Sequence, residues 1–190
     1  MNFAYQKAVD QFVDLWGDMA SAWGINKTMS QIHALLYAHP QPLDTDSIMK
    51  KLDISRGNAN MNLHRLLEWE LIKKVNYPKD RKDYYLAETD IWNIVSTIIR
   101  ERQQQEIAPI RTELLQCINT LEQGGLTDEE SRDFKQRIEN YYDFLEMFER
   151  FTSALLPYIN KKNLTFLKHL VKLVEVKEAL KGSLKSGEKE

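Results

Sequence analysis

The stretch from residue 45 to residue 85, TDSIMKKLDISRGNANMNLHRLLEWELIKKVNYPKDRKDYY, constrains the fold more than any other part of the chain. It reads as helix, turn, helix, then a two-stranded wing. The second helix starts at Ser55, whose hydroxyl can accept a hydrogen bond from the otherwise free backbone N–H groups of the first turn. On a helical wheel Ala59, Leu63, Leu66 and Leu67 share one side, while Asn58, Met61, His64 and Arg65 lie opposite, flanked by Gly57 and Asn60. One face packs, and the other is free to read a partner. The free face is rich in amides, and acids return only at Glu68 and Glu70. Asn and Arg are side chains that make paired hydrogen bonds to base edges in the major groove.

After this helix, LIKKV and DYYLA read as the strands of a hairpin, separated by NYPKDRK, whose Pro78 and Asp80 suit a turn. The tip gathers Lys79, Arg81 and Lys82, which can reach phosphates or a neighbouring minor groove. Two independent elements thus point at one polyanionic partner. The expected DNA contacts are Ser55, Arg56, Gly57, Asn58, Asn60, Met61, His64 and Arg65 on the helix, and Lys79, Arg81 and Lys82 on the wing. Lys50 and Lys51, on the helix before, are further candidates for phosphates.

The run ISRGNANMNLHRLLEWELIKKV followed by KDRKDYY resembles the GbsR/MarR-like winged helix-turn-helix regulators, in which an SRGN or SKGN start to the recognition helix and a DRK wing with following tyrosines recur. The upstream GINKTMSQIHALLYAHPQPLDTDSIM is similar to the second and third helices of that family. The resemblance covers residues 12–100 well, and the rest only as a helical region. It implies a repressor whose affinity for DNA is changed by a small-molecule effector bound between the head and a dimer arm. Trp16, Trp23 and Trp92 are the aromatic candidates for that cleft, and a quaternary ammonium compound would suit an aromatic cage.

A formal net charge of -2 looks unfavourable for a nucleic-acid partner, but distribution decides this rather than the total. Residues 50–82 hold nine Lys or Arg against four acids, a net +5, which leaves -7 for the remainder of a chain at -2. A basic reading head on an acidic support is expected. No run of eighteen apolar residues exists, and the N-terminus MNFAYQKAVDQF lacks the basic start and apolar core of a signal peptide. A cytoplasmic, nucleoid-associated protein with no membrane partner follows as the expectation. Cys117, the only cysteine, excludes an intrachain disulfide; the pattern Ile107, Ile110, Leu114, Cys117, Ile118, Leu121 predicts a buried thiol.

From Tyr5 to Trp23 the residues Val9, Phe12, Val13, Trp16, Met19, Ala20 and Trp23 form one apolar stripe of an amphipathic first helix. Thr28 with Gln31 suggests a capping box for the next helix, which ends before Pro40; Asp44 or Thr45 caps the short third one. Beyond the wing, a long helical pattern from Asp90 to Gln123 contains Pro109, so a kink or break is expected around residues 105–109. Thr127 with Glu130 suggests another capping box, opening a helix to about Tyr158. Its stripe is Phe134, Ile138, Tyr141, Leu145, Phe148, Thr152, Leu155 and Ile159, joined antiparallel to the preceding helix through Gly124 and Gly125. The last predicted helix, 164–180, has two apolar faces, and one is expected to meet a second copy. The dimerisation candidates are Phe12, Trp16, Phe166, Leu170, Leu173 and Leu180.

The expected fold class is mainly α with a small β-hairpin wing: a winged helix-turn-helix head plus a helical dimerisation arm. The expected divisions are 1–27, an N-terminal helix contributing to dimerisation; 28–104, the DNA-binding head; 105–184, the arm; and 185–190, a frayed tail. The four histidines have no partners at metal-ligand spacing, and no phosphate loop or nucleophile elbow is present, so no cofactor, metal or catalytic residue is expected. A homodimeric regulator on a pseudo-palindromic operator is the expected function. A winged-helix protein-interaction module and a non-specific nucleoid-associated binder are the alternatives.

Overall fold

The computed structural model describes residues 3–78, 80–160, 169 and 172. Lys79, the expected dimer residues Phe166, Leu170, Leu173 and Leu180, and the tail at 185–190 lie outside the described residues. The chain divides after Ile98 into two compact units. Among the described residues no helix is long and apolar enough to cross a membrane.

The first unit runs α1 (Phe3–Ala22), α2 (Lys27–Ala38), β1 (Leu43–Asp44), α3 (Thr45–Leu52), α4 (Arg56–Glu68), β2 (Ile72–Val75), β3 (Tyr84–Ala87) and then the start of α5 (Ile91–Arg102). This is a winged helix-turn-helix, with α2 at its centre. Met29, Ile32, Ala34, Leu35 and Leu36 of α2 are buried, together with Val9 and Val13 of α1, Ile48 of α3, Leu63 and Leu66 of α4 and Ile94 of α5. Apart from Ala34, each of these side chains contributes about 1.5–3 kcal/mol through removal from water. In the wing β3 is central, with Leu43 opposite Tyr85 on one edge and Ile72 opposite Ala87 on the other. The wing is therefore three-stranded rather than the two-stranded hairpin expected, because Leu43 and Asp44 extend along β3 before the chain turns into α3.

Helix ends decide the corners. Asn26 caps α2 by accepting from Met29 N–H at 2.9 Å, so the expected box of Thr28 and Gln31 is displaced two residues upstream. Asp44 caps α3, and Ser55 caps α4 as the sequence suggested. Three helices end alike: Ile25 N–H bonds to Ala20 C=O, Ile54 to Met49 and Leu71 to Leu66, in each case across one residue at positive φ. That residue is Gly24 (φ 76°), Asp53 (φ 51°) or Glu70 (φ 55°). Such a left-handed residue returns the last N–H groups to the helix's own carbonyls and reverses the chain.

In the second unit a π-helical turn (Gln103–Ile107) leads into α6 (Ala108–Gln123), which pairs with α7 (Glu129–Asn160). The expected disturbance near Pro109 is this π turn. The helix does not break, since Arg102, Ile107 and Ala108 all keep right-handed helical angles. Pairing is antiparallel: Lys135 meets Glu122 at 3.0 Å, Arg111 bonds to Glu149, and Gln103 bonds to Thr152. Asp128, not Thr127, provides the oxygen that accepts from Ser131 N–H at the start of α7.

Two apolar expectations fail here. Cys117 is exposed, whereas Ile118 beside it is buried; α6 packs through Arg111, Leu114, Ile118 and Leu121, a seam one residue away from the thiol. The expected single stripe of α7 divides into two. Ile138 and Leu145 are buried with Tyr142 and Thr152 alongside, while Phe134, Tyr141 and Phe148 stand exposed on the outer side with Phe144, Met147 and Phe151.

Candidate nucleic-acid interface

The packed side of α4 fixes which side chains are presented. Ala59, Leu63 and Leu66 are buried, so Gly57, Asn60, Met61, His64 and Arg65 face outward on the opposite side. Ser55 spends its hydroxyl on the Asn58 N–H at 3.3 Å. Asn58 is half-buried, and its side-chain oxygen accepts from the amide of the fully buried Asn62 at 2.7 Å. The Asn62 amide also donates to the Asn58 carbonyl at 2.9 Å, which ties consecutive turns of the helix together. This internal amide pair was not foreseen. Gly57 is also informative: a Cβ at that position would meet nothing within 4 Å, so the first unit itself does not require glycine there.

The wing is braced by its own acids. Asp80 accepts from Lys82 N–H at 3.0 Å and from the Tyr84 hydroxyl at 2.8 Å, and these bonds, that from Lys82 first, hold its carboxyl below the usual range. Tyr77 packs edge-on against Tyr84 with ring centroids 4.9 Å apart, and Lys74 meets Asp83 at 2.8 Å. Arg81 and Lys82 are both exposed on this wing.

Lys82 and Arg56 converge on the start of α3. The Lys82 ammonium lies 2.5 Å from Asp44 and 3.3 Å from Asp46, while the Arg56 guanidinium bonds to the other oxygen of Asp46. The Asp44 side chain is only 9% exposed; the Lys82 hydrogen bond and then Ser47 hold its carboxyl down to about 2. Asp44, Asp46, Arg56, Asn60, Arg81 and Lys82 line one hollow, and Asn60, Met61, His64, Lys74 and Asp83 line the next. Asn60 belongs to both, so the open face of α4 and the wing share one polar groove.

The tryptophans fall elsewhere in the first unit. Trp16 is half-buried, 5.4 Å from the Phe12 ring and stacked at 6.2 Å on His33 and at 6.3 Å on Tyr37. Trp16, Trp23 and Trp69 line a cavity of about 40 Å3 with Met29, His33 and Leu66, whereas Trp92 is not among its lining residues. Burial pushes the His33 imidazole down to about 4, against the opposing influence of the Glu88 backbone and carboxylate. His33 is therefore neutral at pH 7, and its Nε2 has no partner among the described residues.

The sequence foresaw the open face of α4 but not the acids that occupy its cations. The sequence marks Asp44 only as a cap, and both acids lie outside the 50–82 window of cations. The one available signal was their placement in the first turn of the helix that braces α4.

No family profile matches the chain, and no curated protein does. Among solved structures, one described as a transcriptional regulator superposes with a TM-score of 0.60 at 17% identity, covering 81% of this chain and 99% of its own. A substituted form of S. aureus MepR bound to an oligodeoxyribonucleotide gives a TM-score of 0.36 at 17% identity, covering 76% of this chain and 99% of its own. At such identity the first of these likenesses is one of fold.

Proposed function

We propose that the chain is a sequence-specific DNA-binding transcriptional regulator of the MarR-like type, acting as a homodimer. The observation that carries this reading is the shared groove between α4 and the wing, where Arg56, Lys74, Arg81 and Lys82 gather around Asn60, with Asp44, Asp46 and Asp83 among them. α4 enters the major groove. Asn60, His64 and Arg65 contact base edges, and Arg56, Arg81 and Lys82 meet the backbone. Gly57 supports the same reading, because glycine on an exposed helix costs about 0.5–1 kcal/mol relative to alanine and its space is open on the protein side. A partner's close approach accounts for it.

The dimer is assigned to the arm, where the outer aromatic side of α7 asks for an apolar cover. Two heads on a two-fold dimer read half-sites about 34 Å apart, so the operator is pseudo-palindromic. The effector site is assigned to the tryptophan-lined cavity. At about 40 Å3 it is far below the roughly 300–1,000 Å3 of drug-sized sites, so a ligand enters only by prising α1 from α2. That coupling would link occupancy to the placing of the head, and repression relieved by ligand is the expected outcome. Titration of intrinsic fluorescence with quaternary ammonium compounds checks the ligand class; no change removes it.

The decisive experiment selects random duplex DNA with the purified protein while light scattering measures its mass. An enriched pseudo-palindrome and a dimer mass are expected. Binding without enrichment would instead give a non-specific binder, and no DNA binding a protein-interaction module.

A further inference from the structure

We infer that Asp46 is an intramolecular competitor for DNA phosphate, holding Arg56 of α4 and sharing Lys82 of the wing with the nearer Asp44 until the backbone displaces it. The inference rests on the DNA-binding reading above. It starts from an arrangement across three elements: the carboxylate sits in the first turn of α3, Arg56 opens α4, and Lys82 stands on the wing. Each oxygen of Asp46 takes one cation, which is how a bridging phosphate would be held. The two acids differ in what they do. Asp44 is buried, caps α3 through Ser47 N–H at 2.7 Å and belongs to the framework. Asp46 has a side chain 52% exposed, and Arg56 and Lys82 are 62% and 51% exposed. Pairs so open to water are weak and exchangeable.

The consequence is a lowered backbone affinity for every duplex. Binding to non-specific DNA is almost wholly phosphate attraction, and a carboxylate already occupying two cations subtracts from it. Base contacts from Asn60 and Arg65 do not involve Asp46, so they remain as the part that distinguishes one site from another. The nine-to-four excess of cations over acids between residues 50 and 82 therefore overstates the charge offered to DNA, since Arg56 and Lys82 are already partnered.

The test compares the wild-type chain with Asp46→Asn on an operator duplex and on a scrambled duplex across a salt series. Removing the charge is expected to tighten both complexes by about five- to tenfold at 0.1 M salt and to steepen the salt slope by about 0.9 for each phosphate newly engaged. The enriched sequence stays the same. Adding Arg56→Gln to Asp46→Asn should cancel much of the gain, and Asp46→Ser, with a circular-dichroism melt, separates charge loss from damage to α3. Unchanged affinity and slope in Asp46→Asn overturn the competitor role, and weakened binding makes Asp46 a positioning residue instead. If the wild-type chain binds no duplex even at low salt, the DNA-binding reading itself fails; binding by the wild-type chain with no gain in the variant sinks only the inference about Asp46.

Discussion

Helices α4 and α7 each bury one face and leave the other open, and their open faces have opposite chemistry. α4 shows Gly57, Asn60, His64 and Arg65 to solvent, whereas α7 shows Phe134, Tyr141, Phe144, Met147 and Phe151. Water satisfies amides and cations, so the α4 face is stable when bare and gains only from a partner with matching charge and hydrogen-bonding groups. A row of rings in water is unfavourable until another apolar surface covers it. The same amphipathic logic thus leaves a polar open face in one unit and an apolar open face in the other.

The strongest way to break the comparison is to truncate one side chain of each kind. Ile32→Ala, at a fully buried site in the first unit, should lower unfolding free energy by about 2–5 kcal/mol in a urea titration. Phe144→Ala, at a side chain 53% exposed, should leave the unfolding of a monomer within about 0.5 kcal/mol but shift the mass in light scattering toward monomer. Equal losses of stability from both, with no change of mass, would mean the outer side of α7 is interior after all.

A second contrast is in pH. His33 is 2% exposed with its pKa lowered to about 4, below the roughly 6.5 of an unfolded chain. The unfolded state therefore binds more protons between these values, and stability falls as pH drops from about 6.5 toward 4, then levels. The full effect is on the order of 3 kcal/mol. Melting His33→Leu across the same range should show a flatter profile; a dependence as steep as that of the wild-type chain would assign it to other groups. In the arm the packed seam relies on a partly exposed polar clamp, Arg111 with Glu149 and the Tyr142 hydroxyl at 3.2 Å. Arg111→Ala should cost about 1–2 kcal/mol, read as a shift of the urea midpoint.

What the sequence disclosed follows from how local each determinant is. The two faces of α4, the Ser55 cap and the β2 and β3 strands depend on neighbours a few residues away, and all were readable. The ends of α3 and α4 were not, because Asp53 and Glu70 occupy left-handed positions where glycine is the usual signal; only Gly24 of the three carries it. β1 depends on pairing Leu43 with Tyr85, forty-two positions apart in the chain, and a two-residue strand has no periodicity to detect. The Asp46 bridge joins residues 46, 56 and 82, so charge counting saw cations and not their partners. In α7 the apolar residues cover too wide an arc for one partner. Periodicity found the arc, while packing against α6 chose which edge of it to bury.

A small expected gain in stability is also the effect that separates the two kinds of open face most cleanly. Gly57 has open space for a Cβ, with nothing within 4 Å of where it would stand, and lies on an ordinary helical backbone, so Gly57→Ala should raise stability by about 0.5–1 kcal/mol. If α4 approaches DNA as closely as proposed, the added methyl enters the space of the partner, and affinity for the selected operator falls while the fold gains. A gain on both counts would mean α4 stays at a distance from the duplex. Opposite signs in one substitution cannot come from a change in folding alone, so the pair of measurements isolates what the bare polar face is for.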